Sequence, residues 1–391
     1  MTSPSPPESA PYADRFNTLR EAMAQGGVDG LLVTHPPNLR YLTGFDGSLG
    51  ALLVSASKGV LIVDGRYLTS ARERLAGNAE LRDVDVVLAE DSLEAAVARA
   101  VMSGERIWNL GVEAAAISLS RFDRLSEAIG MAESAAGGGA AAPRLRGTEE
   151  IVERGRVVKD AFEIATLRAA AAKLSAVALQ VPSFVRAGRT ERDVAAEIDA
   201  ALRRAGFERP AFETIVASGP NSALPHARPG SRIVQPGDGV VLDFGGVYDG
   251  YCVDLTRTVQ LAPLSDDFGR LFAAVKAAHA AAIAAVRPGV TAAAIDRAAR
   301  EELGRHGLAE AFVHGTGHGL GLEVHEAPRV SKAGSGHPDV TLQPGMVFTI
   351  EPGVYVPGLG GVRIEDDVLV VESGCEVLTH VPIDRTATSG R

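Results

Sequence analysis

Residues 239–261 read GVVLDFGGVYDGYCVDLTRTVQL, two apolar runs on either side of the turn-forming segment Val247-Tyr248-Asp249-Gly250. Such a pattern specifies a β-hairpin. Each arm carries one aspartate, Asp243 and Asp254, among residues such as Val241, Leu242 and Phe244 that call for burial. A turn centred between Tyr248 and Asp249 sets Asp243 opposite Asp254, with Cβ atoms roughly 5 Å apart. Two ionised carboxylates so placed repel each other, and burial leaves them without water. They need a shared proton or a cation.

The pattern recurs at residues 346–371, MVFTIEPGVYVPGLGGVRIEDDVLVV. A Gly/Pro-rich loop around Pro357–Gly361 separates two strand-like runs, and a turn centred on Gly358 brings Glu351 opposite Glu365. Two acidic cross-strand pairs in one domain point to a cation site. Three of the nine histidines crowd into 314–325, HGTGHGLGLEVH, as His314, His318 and His325. The spacing of His314 and His318 imitates a zinc-protease helix. Gly315, Gly317, Gly319 and Gly321 rule that helix out and instead admit close backbone approach. The same run lacks the spacing of a dinucleotide-binding loop. His279 and His306 read as ordinary helix residues, and His35, His337 and His380 as structural ones. Four carboxylates with at least one imidazole hold too much negative charge for a single zinc ion. They suit two divalent ions, Mn²⁺, Co²⁺ or Zn²⁺, with the oxygen donors leaning to Mn²⁺. The residues thus specify metal-assisted hydrolysis.

Outward from these hairpins, 391 residues exceed what one core usually serves, so two domains are expected. The formal net charge of −10 offers no cationic face for nucleic acid. Cys252 and Cys375 are too few for a disulfide framework. The N-terminus shows no secretory signal. The most apolar helical stretch, Leu271 to Val286, is broken by Lys276 and His279, which argues against a membrane span. A soluble cytoplasmic protein is expected. Residues 1–13 are Pro- and Ser-rich and read as a disordered tail. Residues 14–145 alternate short apolar runs (30–34, 51–55, 60–64, 84–89, 107–113) with helical patterns (15–25, 68–76, 92–102), an α/β domain. The low-complexity stretch 134–143 marks its end. Residues 146–391 carry helices near 160–185, 190–205, 265–287 and 291–306, with strands at 213–217, 239–261 and 340–379. This is an α+β domain with a curved antiparallel sheet covered by helices.

The motifs SGPNSALPHARPG (218–230), LDFGGVYDGYCVDLTRT (242–258), HGTGHGLGLEVHEAP (314–328), IEPGVY (350–355) and GVRIEDD (361–367) resemble, in order, those of the pita-bread metallopeptidases. NLRYLTGF (38–45) and DGRYLTSA (64–71) look like the creatinase-type N-domain of aminopeptidase P and prolidase, which methionine aminopeptidases lack. The resemblance implies Asp243, Asp254, His318, Glu351 and Glu365 as metal ligands, Asp254 and Glu365 bridging, with Asp243 on one ion and His318 and Glu351 on the other. It implies His226, His325, Glu351 and Arg363 as the catalytic set, and His226, His314, His325 and Arg363 as substrate-binding. His325 would steady the tetrahedral intermediate, and Arg363 would pair with a ligand carboxylate or the substrate. The ending HVPIDR (380–385) departs from the family's Leu-terminated tail. Creatinase itself replaces the metal ligands and is excluded by the complete set. Members kept as protein-binding modules have typically lost ligands, and this chain has lost none. Two substrate readings stay open: an Xaa-Pro dipeptidase, favoured by the short loop between Glu351 and Glu365, and an aminopeptidase P acting on longer peptides. The resemblance also implies a homodimer, with Asp46 in the loop 43–48 available to a substrate amino group.

Overall fold

The computed structural model describes residues 9–136, 141–384 and 386, and the chain divides into one unit over Ser9–Arg156 and a second from Val157 onward. The first unit runs α1 (Tyr12–Gln25), β1 (Gly30–Val33), α2 (Pro36–Thr43), β2 (Ala51–Val54), β3 (Gly59–Val63), α3 (Leu68–Ala76), β4 (Val84–Leu88), α4 (Leu93–Ser103), β5 (Asn109–Glu113), α5 (Leu119–Ala135) and β6 (Arg144–Thr148). Its six strands form one mixed sheet in the order β4-β3-β2-β1-β5-β6, parallel at β3–β4, β1–β5 and β5–β6. The core gathers Leu32, Leu53 and Ile62 from the sheet with Val97, Val101, Leu125 and Ile129 from α4 and α5.

Two boundaries differ from the expectation. The domain does not end in the Gly/Ala stretch, of which residues 137–140 lie outside the described residues. After it, β6 adds to the sheet beside β5, and the unit continues to Arg156 within α6 (Glu153–Val157). The unit extends beyond the low-complexity stretch, because a strand after it pairs with an edge of the sheet. Of the expected disordered tail, residues 1–8 lie outside the described residues, while Tyr12 and Ala13 already belong to α1. Tyr12 is buried there, which gives the helix an apolar anchor earlier than Arg15.

The second unit contains α7 (Ala161–Ala178), α8 (Glu191–Arg204), β7 (Arg209–Pro210), β8 (Ile215–Ser218), β9 (Gly239–Tyr248), β10 (Tyr251–Gln260), α9 (Asp266–Ala285), α10 (Ala292–Arg305), β11 (Gly317–Gly319), β12 (Glu326–Val330), β13 (Val347–Ile350), β14 (Gly353–Val356), β15 (Gly360–Arg363), β16 (Asp366–Val371) and β17 (Gly374–Val377). All its strand pairs are antiparallel: β10-β9-β7 with β8 also on β9, then β12-β11-β13-β16-β17, and the hairpin β14-β15. Helix α7 packs on β9 and β10, and α9 on β13, β14 and β15. The capping box at Thr190 and Asp193 opens α8 as its sequence demands. Segments Ala161–Ser183 and Asp266–Ala285 are long and apolar enough to cross a membrane. Phe268, Leu271, Val275, Ala278 and Ala282 of the latter instead enter the domain core.

The first hairpin corrects the expected register. Asp249 and Gly250 both have left-handed φ, 45° and 75°, and form a two-residue turn closed by the pair Tyr248–Tyr251. Asp-Gly favours this turn because both central positions need positive φ. The centre therefore lies one residue later than expected. Asp243 faces Thr256, and Asp254 faces Gly245. The two aspartates remain on one face of the sheet as diagonal rather than direct neighbours. The second hairpin keeps the expected register. Gly353 pairs with Arg363 on one side, Ile350 with Asp366 on the other, and Glu351 and Glu365 lie between these two ladders.

Candidate metal centre

Five acidic or imidazole groups meet where the two hairpins and β11 converge. Asp243 comes from β9, Asp254 from β10, His318 from the middle of β11, Glu351 from just after β13, and Glu365 from between β15 and β16. Backbone bonds hold the last two: Glu351 N–H donates to the Thr316 carbonyl at 2.7 Å, and Glu365 N–H to the Thr256 carbonyl at 3.1 Å. His318 depends on its flanking glycines. A Cβ on Gly317 would collide with the Thr349 carbonyl, and one on Gly319 with the Ala327 carbonyl. The glycines let β12 and β13 close on both sides of the imidazole.

Donor atoms of Asp254, His318 and Glu365 lie within 4.8 Å of one another, and His318 Nε2 lies 3.4 Å from Glu351 Oε1. Asp243, Asp254, His318 and Glu365 are buried, and Glu351 is half-buried. Burial, then Glu365 and Asp243, push Asp254 well above the usual carboxylate range. Burial, then Glu351 and Asp243, do the same to Glu365. Burial pushes Glu351 up to about 7, with Arg363 opposing and Asp243 adding. The imidazole of His318 is held neutral, its pKa lowered to about 3 by burial. Its Nδ1 faces the Gly319 carbonyl at 3.2 Å, which makes Nδ1 the proton-bearing atom and leaves the Nε2 lone pair aimed at Glu351. Asp243 Oδ1 and Asp254 Oδ1 are buried without a hydrogen-bond partner. Lone pairs converging in a buried place, two of them on oxygens that no donor reaches, fit divalent cations, and the mixed oxygen and nitrogen donor set suits them.

These groups open onto a cleft of about 590 Å³. It is lined by all five of them and by every substrate residue expected from the sequence: His226, His314, His325 and Arg363. Arg363 is fully engaged. It donates to Asp243 Oδ2 at 2.5 Å, to the Tyr355 hydroxyl at 2.6 Å and to the Pro225 carbonyl at 3.3 Å. Burial opposes its charge, yet Tyr355 and the three carboxylates of Asp243, Glu351 and Glu365 raise it above its ordinary value. Since Tyr355 accepts from Arg363, its own proton goes to His314 Nε2 at 2.9 Å. His314 then donates from Nδ1 to the Gly315 carbonyl at 2.8 Å. This chain requires a neutral His314, and burial lowers its pKa to about 4.

Four residues of this arrangement escaped the sequence reading. Thr256 donates to Glu365 Oε2 at 2.5 Å; it sits opposite Asp243, so the true hairpin register would have revealed it. Tyr355 is diagonal to Arg363 in the β14–β15 ladder and was within reach of the register that was read. Asp367 Oδ2 accepts the Asp254 N–H at 3.0 Å. Arg329 lines the cleft, half-buried. No pattern announced it, because the β11–β12 register shifts between His318 and Gly319.

Residues 165–372 match Metallopeptidase family M24, and residues 15–158 match the Creatinase/Prolidase N-terminal domain. The chain is similar to the probable dipeptidase PepE of Mycobacterium tuberculosis, 37% identical over 95% of either chain. Among solved structures it is similar to an Xaa-Pro dipeptidase from Bacillus anthracis, with a TM-score of 0.88 and 34% identity over 96% of this chain and 99% of that one. It is also similar to the X-Pro aminopeptidase of Thermotoga maritima, with a TM-score of 0.82 and 34% identity over 94% of this chain and 99% of that one. The chain belongs to metallopeptidase family M24, in its two-domain form with a creatinase/prolidase-type N-terminal domain. It is therefore a metallopeptidase, of a family whose members use divalent metal ions.

Proposed function

We propose that the chain hydrolyses the peptide bond preceding proline, with Xaa-Pro dipeptides as its preferred substrates. Asp243, Asp254, His318, Glu351 and Glu365 would hold two divalent ions, Mn²⁺ ahead of Co²⁺ or Zn²⁺ given the oxygen donors. When bound, such ions polarise the scissile carbonyl and acidify a water towards neutrality. Glu351 is the carboxylate assigned to take that water's proton. His325 stands with its ring centroid 4.3 Å from that of His318, and from there its N–H is assigned to the developing oxyanion. Burial, then the neighbouring Arg329, lower the pKa of His325, so it acts as a neutral donor. His226, on the cleft wall, is assigned to the substrate beside the scissile bond. Arg363 holds Asp243 and Tyr355 in place rather than meeting substrate directly.

The substrate preference rests on one observation, the Arg329 guanidinium on the cleft wall. A bond before proline has no N–H, so strand-like docking fails there and recognition must come from the ring and what lies beyond it. In a dipeptide that is a free carboxylate, which needs a cation. Arg363 and His314 are already committed to Asp243, Tyr355 and Gly315. Arg228 is exposed and lies 3.4 Å from Glu213. Arg329 has no carboxylate in ion-pair contact among the described residues, and its charge lies near His325. The short loop Pro357–Leu359 between β14 and β15 also supports the dipeptidase reading. The second reading, an aminopeptidase P, draws on the likeness to the Thermotoga maritima enzyme. Competition between an Xaa-Pro dipeptide and the same peptide extended by one residue separates them. The dipeptide is expected to have the higher kcat/KM, and Arg329→Met to remove that advantage through KM. Faster cleavage of the extended peptide would transfer the assignment to aminopeptidase P.

Two further properties belong to this proposal. The unpaired thiols of Cys252 and Cys375 suit a reducing, cytoplasmic setting, and a homodimer follows from the family resemblance.

A further inference from the structure

His325 and Arg329 belong to one short segment in which the backbone ladder is interrupted by a register shift. Along Glu326–Val330 successive side chains alternate in direction, so His325, Ala327 and Arg329 share one face while Glu326, Pro328 and Val330 share the other. Burial follows this alternation: His325 and Ala327 are exposed and Arg329 half-buried, whereas Pro328 and Val330 are buried. A slip of one residue would turn both cleft residues inward. Yet the β11–β12 pairing shifts register between His318 and Gly319, so the ladder is not continuous across Ala327 and Pro328.

A buried ion pair supplies what the ladder lacks. Glu326 Oε1 lies 2.8 Å from Lys159 Nζ, and the two side chains are 9% and 0% exposed. Both ends are seated. Lys159 N–H donates to the Gly345 carbonyl at 2.9 Å, Val158 bridges Met346, and Asp160 opens α7 with a capping box to Glu163. At the other end Gly321 makes room, since a Cβ there would collide with the Glu326 carboxylate. The Gly321 carbonyl is in turn held by the Cys252 N–H at 2.7 Å. A buried pair of this kind contributes little stability compared with an apolar pair of the same volume, because both charges are desolvated; its attested use is to fix register.

We propose that the Lys159–Glu326 pair positions the substrate wall: by fixing Glu326 inward, it sets His325 and Arg329 outward into the cleft. The kinetic part of this inference rests on the Xaa-Pro reading above. The test compares Lys159→Met, Glu326→Gln and the double variant Lys159→Met/Glu326→Met with the unaltered enzyme, measuring melting temperature, bound metal, and kcat and KM for an Xaa-Pro dipeptide. Each single variant leaves one buried charge without its counter-charge, Glu326 in Lys159→Met and Lys159 in Glu326→Gln, and is expected to lose melting temperature. The double variant is expected to recover it and to bind metal normally. Its kcat/KM should still be lower by about 10- to 100-fold, with both KM and kcat affected, since a small misplacement of positioned groups costs on that order. A double variant that recovers stability and kinetics together shows a merely structural pair and overturns the proposal. Amide exchange over residues 322–329 provides a second arm that needs neither activity nor a variant: the unaltered protein should exchange slowly there despite the exposure of His325. Rapid exchange in the unaltered protein would overturn the proposal even if no variant folded. An unaltered enzyme that cleaves no Xaa-Pro peptide would refute the functional reading alone, leaving the exchange arm in force.

Discussion

Arg363 joins the two acidic hairpins: its Nη2 donates to Asp243 Oδ2 at 2.5 Å, while Asp243 Oδ1 stays without a protein partner. One oxygen of Asp243 is thus fixed by a guanidinium, and the other is the one that would meet the proposed cation. Arg363→Met should strand the buried Asp243 carboxylate and destabilise the protein by about 3–5 kcal/mol, the usual cost of removing one member of a buried pair. Denaturant unfolding of the metal-free variant checks this. Unaltered stability would mean that the contact contributes nothing.

His325 is expected to act on the transition state and not on the ions. His325→Ala should lower kcat by about 10²–10³ with both ions still bound, as steady-state kinetics and elemental analysis of the same preparation can show. Loss of metal would make His325 a ligand. A normal kcat would remove it from the mechanism.

The Arg363–Tyr355–His314 chain has a signature in pH. With His314 lowered to about 4 from its ordinary 6.5, the unfolded chain binds more protons than the folded one between those values. The stabilising contribution of the neutral imidazole is therefore complete above pH 6.5 and is lost as pH falls through 4. His314→Gln should flatten this part of the acid limb in unfolding curves measured at pH 7, 5.5 and 4.5. If the variant and the original protein lose stability in parallel, His314 is not held neutral by the fold.

How far the sequence could be read depends on which interactions are local. The β14–β15 register followed from a loop centred on Gly358 and held across both flanking ladders, so the Glu351–Glu365 pair was legible. The β9–β10 register differs from the expected one by one turn position, because the positive φ of Asp249 and Gly250 places these two residues, and not Tyr248-Asp249, at the centre of the turn. Moving the turn centre by one residue shifts each residue's partner by two, so both aspartates kept the same face and the site survived the error. The glycines around His318 announced close packing without saying on what; Thr349 and Ala327 are distant in sequence. Asp367 and Arg329 act through contacts that no periodicity encodes, and the domain end at Arg156 depended on β6 finding an edge of the first sheet.

Assembly is open to direct measurement. A homodimer is expected, so light scattering on active enzyme should give twice the chain mass of 40.7 kDa. A monomer with full activity would dispose of the dimer and of any role for Asp46 that depends on a partner copy.

Hydrolysis is expected to require two ions held by Asp243, Asp254, His318, Glu351 and Glu365. Metal-free protein should be titrated with Mn²⁺ while bound metal and cleavage of an Xaa-Pro dipeptide are followed together. Activity is expected to be absent at the start and to reach its plateau at two ions per chain, and Asp254→Asn should abolish that plateau at any metal concentration tested. Full turnover in the presence of chelator, or a plateau at one ion with Asp254→Asn unaffected, would contradict it.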